Sequence, residues 1–129
     1  MLIRKLWPSL LWALFVLILT GIPGDYIPEV IDFWEWLGPD KLVHIAIFGV
    51  LSFLIFFNLR VEYLDSKKRS LFVLSILGVT LAYGLLTEVL QATVFIARDG
   101  NVFDFYANSI GALLGWLAFS IVIRKKIKI

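Results

Sequence analysis

Four apolar runs, at residues 6–22, 42–59, 71–95 and 105–123, occupy most of this 129-residue chain, and Glu88 is the only carboxylate inside any of them. A hydrocarbon core of about 30 Å takes roughly 17–25 apolar residues per helix, so each run is long enough to cross it. Lipid offers a backbone no hydrogen-bond partners, which confines such runs to helices. Hydrophobic residues make up 60% of the chain and the mean hydropathy is +0.92. Soluble domains use roughly 45–50% apolar residues, and the excess here has to face lipid. The expected fold class is therefore an all-α integral membrane protein, with four transmembrane helices in a single domain over residues 1–129.

Between the first two runs, Asp25, Glu29, Asp32 and Glu35 recur at helical spacing, opposite Ile27, Val30, Ile31, Trp34 and Leu37. This pattern predicts an amphipathic helix. Pro28 suits its start, while Gly38 and Pro39 suit its end. It is too short to cross, and with Trp34 and Trp36 it is expected to lie at the interface on the outward side; an irregular acidic loop is the alternative.

Orientation follows from the basic residues. Arg4 and Lys5 precede the first span, Arg60, Lys67, Lys68 and Arg69 join the second to the third, and Arg124, Lys125, Lys126 and Lys128 follow the fourth. Ten of the twelve basic residues thus share one side, leaving Lys41 and Arg98 on the other. Both termini are expected in the cytoplasm, and the membrane is expected to be a bacterial inner membrane. The first span is read as retained rather than cleaved, because no A-x-A-like site follows it.

A net charge of +2, with the basic residues beside apolar runs, argues against nucleic acid as a partner. The chain has no cysteine and one histidine, which removes disulfides, thiolate metal sites, a cysteine nucleophile and any His-rich metal site. No cofactor or resident metal is expected, although Asp104, His44 and a further carboxylate together have the donors for one hard or borderline ion.

On this topology the unusual polar residues gather near one face of the membrane. Asp40, Lys41 and His44 open the second helix, Glu88 and Gln91 share a face of the third one turn beyond Gly84, Arg98 lies in the following loop, and Asp104 and Asn108 stand one turn apart on the fourth. A carboxylate inside hydrocarbon costs about 2.5–3.5 kcal/mol on insertion scales, so Glu88 is expected to face inward. Lys41, His44 and Arg98 are its candidate cationic partners.

Each residue also has an ordinary use. Asp40 fits an N-cap, and Asn101 with Asp104 fits a capping box. Lys41 can snorkel, Gln91 can bond a neighbouring helix, and Glu88 with Arg98 can form a purely structural ion pair. Gly111 and Gly115 form a GxxxG that lets helices approach closely, and offer one route to an oligomer.

The segments PDKLVHIAIFG, TEVLQ and RDGNVFDFYANSIGALLGW carry D-K-x-x-H, E-x-x-Q and R-x-x-x-x-x-D-x-x-x-N-x-x-G in order. Over residues 39–117 the chain in this way resembles the VanZ-like family of small bacterial membrane proteins; the first helix and the acidic segment match none of these motifs. The resemblance implies a four-helix inner-membrane protein and carries over Asp40, Lys41, His44, Glu88, Gln91, Arg98, Asp104, Asn108 and Gly111 as characteristic positions. The family name also implies a link to reduced susceptibility to teicoplanin-type glycopeptides.

Two functions from different classes follow. In the first, Lys41, His44, Glu88, Gln91, Arg98, Asp104 and Asn108 form an outward site that binds a cell-envelope lipid or lipid-linked headgroup. In the second, Glu88 and His44 act as an acid–base pair in an enzyme working on a lipid-linked substrate, with Arg98 stabilising negative charge. Transport fits less well, because the polar groups do not continue through the bundle. A scaffold locked by ion pairs is the remaining reading.

Overall fold

The computed structural model describes residues 1–26 and 38–127. Within them lie α1 (Leu2–Thr20), a 3₁₀ turn (Gly24–Tyr26), α2 (Pro39–Asn58), α3 (Arg60–Asp65), α4 (Arg69–Thr93) and α5 (Val102–Ile127). The described residues contain no strand. Helices α1, α2, α4 and α5 are each long and apolar enough to cross a membrane, so the four-span, all-α fold class stands. The amphipathic helix expected between the first two spans falls largely on residues 27–37, outside the described residues.

The helix ends differ from the apolar runs for local reasons. Pro39 occupies the first turn of α2, where its missing N–H costs nothing, and Gly38 takes the N-cap position. Asp40 therefore lies inside the first turn and is not the cap. At the other extreme α5 runs on to Ile127 through Arg124, Lys125 and Lys126, whose charges complement the carbonyl end of the helix dipole.

Small residues set the centre of the bundle. A Cβ on Gly111 would overlap the carbonyl oxygen of Ile45, and one on Gly115 would overlap that of Gly49. Both glycines are buried, so α5 and α2 approach backbone to backbone, and Ser52 Oγ bonds the carbonyl of Ala112 at 2.8 Å across the seam. The close approach expected of the GxxxG is thus made within one chain.

Around this pair, Val16, Ile47, Phe48 and Leu51 form one buried cluster, and Phe56, Ile76, Phe119 and Ile123 a second nearer the termini. Leu10, Leu14, Ile18, Leu74, Val79 and Leu113 remain exposed on the outer surface. An apolar rim around a tighter interior is the pattern lipid requires.

Helix α1 is tied on by polar contacts. Trp12 Nε1 donates to the carbonyl of Ile47 at 2.8 Å, and Asn58 Nδ2 donates to Ser9 Oγ at 2.8 Å. At the terminal end the Lys5 ammonium pairs with Glu62 of α3 and holds that carboxyl below its ordinary range. A cleft of about 460 Å³ opens between α1 and α4 at this same end, lined by Leu6, Ile55, Leu71, Phe72, Ile76 and Val79.

Candidate functional site

At the end of the bundle away from both termini, α2, α4 and α5 each turn a polar side chain inward. His44, Glu88, Asp104 and Asn108 are all buried there. Helical periodicity explains the placement. His44 lies on the same face of α2 as Phe48, and Asn108 continues the Gly111 stripe of α5, so both point into the seam.

Asn108 is the hub. Its Oδ1 lies 2.8 Å from His44 Nδ1, and its Nδ2 lies 3.4 Å from Glu88 Oε1. Since the amide oxygen can only accept, His44 Nδ1 carries the proton and donates. The opposite amide orientation would set Oδ1 against the Glu88 carboxylate. Glu88 Oε1 is 3.9 Å from His44 Nδ1, so carboxylate and imidazole meet mainly through the amide between them.

The other oxygen of Glu88 leaves the cluster. Oε2 accepts the backbone N–H of Asn101 at 3.2 Å, just ahead of α5. Asn101 Oδ1 in turn accepts the N–H of Phe103 at 2.9 Å, as an N-cap does. In a capping box the third helical residue, here Asp104, would bond back to the Asn101 N–H. Glu88 of α4 has taken that place, so the box expected from Asn101 and Asp104 does not close. Gly100 makes the arrangement possible: a Cβ there would come within 2.7 Å of Ala92 Cβ and 2.8 Å of the Glu88 carbonyl.

Released from capping, Asp104 faces His44 from the far side. Its Oδ2 is 4.0 Å from His44 Nε2, while Asp40 Oδ1 approaches the same nitrogen at 3.8 Å. Asp104 Oδ1 is buried without a hydrogen-bond partner. One donor atom from each of Asp40, His44 and Asp104 lies within 4.8 Å of the others, so these three residues could share a metal ion.

The remaining site candidates sit apart. Gln91 is buried but turns toward α1, donating from Nε2 to the carbonyl of Thr20 at 3.1 Å. Lys41 and Arg98 are half-buried at the same end of the bundle, and among the described residues neither side chain forms a hydrogen bond or ion pair. Lys41 is close enough to Asp104 for their charges to interact. Arg98 is not the partner of Glu88, because His44, Asn108 and the Asn101 N–H occupy that role. Asn101 and Gly100 are the residues that sequence reasoning passed over as parts of the site. A cap-forming Asn after a glycine was the available signal, but its cross-helix acceptor is not encoded locally.

Four apolar helices enclosing a buried acid–amide–imidazole cluster define a multi-pass membrane protein with a polar centre at one end of the bundle. The sequence profile of the VanZ/LLP1 family matches residues 9–123, and the chain belongs to that family. The match takes in most of α1, well beyond the motifs between residues 39 and 117. No curated protein and no solved structure matches significantly.

Proposed function

We propose that the polar end of the bundle binds the anionic headgroup of a cell-envelope lipid or lipid-linked molecule, on the outer side of a bacterial cytoplasmic membrane. The observation that carries this reading is the buried His44–Asn108–Glu88 relay at the end of the bundle where Lys41 opens α2 and Arg98 lies in the loop after α4. A fixed buried network supplies a shaped polar floor, the two cations supply charge for phosphate or carboxylate, and exposed apolar helix surfaces accommodate a tail. Ten of the twelve basic residues flank the opposite ends of the spans in the sequence, which supports cytoplasmic termini and an outward site. Membership of a family named for glycopeptide susceptibility supports a consequence for envelope-directed glycopeptides: a protein holding such a headgroup changes their access to it.

The test is equilibrium binding of a long-chain isoprenoid phosphate to the full chain in nanodiscs. A charge-assisted hydrogen bond contributes about 1.5–3 kcal/mol, so Arg98→Ala is expected to weaken binding roughly 10- to 100-fold. Equal affinity of wild type and Arg98→Ala, or no binding of any phosphate- or carboxylate-bearing lipid, removes the reading.

One observation favours a second, enzymatic reading. With Nδ1 held by Asn108, His44 presents Nε2 toward Asp40 and Asp104, an oriented imidazole suited to proton transfer. The acid–base partner of His44 would then be Asp104 as much as Glu88. Turnover of a lipid-linked substrate, lost in Asp104→Asn with folding retained, would replace simple binding by this reading.

A further inference from the structure

We propose that Asp40, His44 and Asp104 form a site for one divalent cation, Zn²⁺ or Mn²⁺. The proposal concerns the same end of the bundle as the headgroup site, but it is read without any lipid and stands or falls separately.

Two independent features point to a ligand between these side chains. Asp104 is 5% exposed, and its Oδ1 has no hydrogen-bond partner. Its capping role has passed to Glu88, and the charged groups near it are His44, Asp40 and Lys41. An unpaired buried carboxylate is costly, and buried charges are normally paired or bound to metal.

The second feature is the state of His44. Its Nδ1–H is committed to Asn108 Oδ1 at 2.8 Å, which leaves Nε2 facing Asp40 Oδ1 at 3.8 Å and Asp104 Oδ2 at 4.0 Å. Bare, the Nε2 lone pair opposes two carboxylates. Protonated, it reaches neither, because N–H···O bonds run to about 3.2 Å.

A metal ion fits the interval better than a proton. Zn–N and Zn–O bonds of about 2.0–2.2 Å in a tetrahedral site hold ligand atoms roughly 3.4 Å apart, so each carboxylate oxygen would have to move about half an ångström closer to His44 Nε2. Asp40, with its side chain 55% exposed, is free to make that adjustment.

One imidazole and two carboxylates match Zn²⁺ or Mn²⁺ and leave a coordination position open. The contacts behind His44 have the form such sites use. The ligating histidine donates its other N–H, here to Asn108, which is itself held by Glu88.

The experiment uses the full, tag-free chain in detergent micelles, stripped with chelator and then dialysed against Zn²⁺ or Mn²⁺ with elemental analysis. One ion per chain is expected. Asp40→Asn, at a largely exposed position that leaves the fold intact, should weaken binding at least tenfold, and Asp104→Asn likewise. Asn108→Ala, which keeps all three ligands, should cost about 10- to 100-fold by loosening His44. Since His44 is the only histidine in the chain, its ring ¹⁵N resonances report coordination directly, and Nε2 is expected to shift on adding Zn²⁺. Absence of stoichiometric binding, affinity unchanged in both Asp40→Asn and Asp104→Asn, or equal affinity for Mg²⁺ would overturn the proposal.

Discussion

The carboxylate of Glu88 accepts the backbone N–H of Asn101, thirteen residues further along the chain, at 3.2 Å. A side chain near the end of one transmembrane helix thereby caps the start of the next. The same carboxylate holds Asn108 through its other oxygen, so the geometry around His44 and the placement of α5 depend on one acid.

Removing that acid is expected to loosen both. Glu88→Ala strips an acceptor from Asn101 and from Asn108, and should destabilise the chain by about 1–3 kcal/mol in thermal unfolding in detergent. Glu88→Gln keeps an acceptor for the Asn101 N–H and should lose less. Amide exchange at Asn101 should accelerate in the alanine variant and stay close to wild type in the glutamine variant.

Glycine substitutions should divide by position. Gly111→Ala drives a methyl into the Ile45 carbonyl and is expected to cost about 1–3 kcal/mol or more, as overpacking does. On α4, nothing lies within 4 Å of where a Cβ on Gly78 would stand, so Gly78→Ala should be neutral or gain up to about 1 kcal/mol from helix propensity. Melting temperatures of the two variants should move in opposite directions, or only the first should move.

Acid should weaken the tie between α1 and α3. Lys5 holds the Glu62 carboxyl below its ordinary value of 4.5, so the folded state favours the ionised form. The resulting stabilisation is present above that value and fades as pH falls through the lowered folded pKa. The pair is solvent-accessible, and its effect should be small and screened by salt. Melting temperatures of wild type and Glu62→Gln should differ slightly at neutral pH and low salt, and converge in acid or high salt.

Orientation is open to direct labelling, because the chain contains no cysteine. Asp99→Cys, exposed beside Arg98, should react with a membrane-impermeant maleimide on intact cells, whereas Ser70→Cys, exposed at the start of α4, should react only after permeabilisation. The reverse pattern would place the polar site in the cytoplasm.

The helices were legible because nearly charge-free runs of membrane length admit little else, and one-turn spacing put Glu88 with Gln91 and Asp104 with Asn108 on common faces. What local pattern did not give was how those faces meet. Asn108 stands between His44 and Glu88 because Gly111 and Gly115 bring α5 against α2 and Gly84 brings α4 against both, while Gln91 turns away to Thr20 of α1. Asp40 reads as a cap because it precedes an apolar run, yet Pro39 already occupies the first turn and moves the cap to Gly38. Charge alone pairs Glu88 with Arg98, whereas in the fold the backbone N–H of Asn101 and the Asn108 amide take up the carboxylate.

The central claim is that the polar end of the bundle, with its His44–Asn108–Glu88 relay and the cations Lys41 and Arg98, retains an anionic lipid headgroup. Native mass spectrometry of the full chain, released from nanodiscs containing phosphate-bearing and neutral lipids in equal amounts, tests it most directly. The account predicts a retained phosphate-bearing lipid on wild type that is lost from the Lys41→Ala, Arg98→Ala double variant. Identical lipid occupancy in the two proteins, or no preference for phosphate-bearing lipid in wild type, would contradict it.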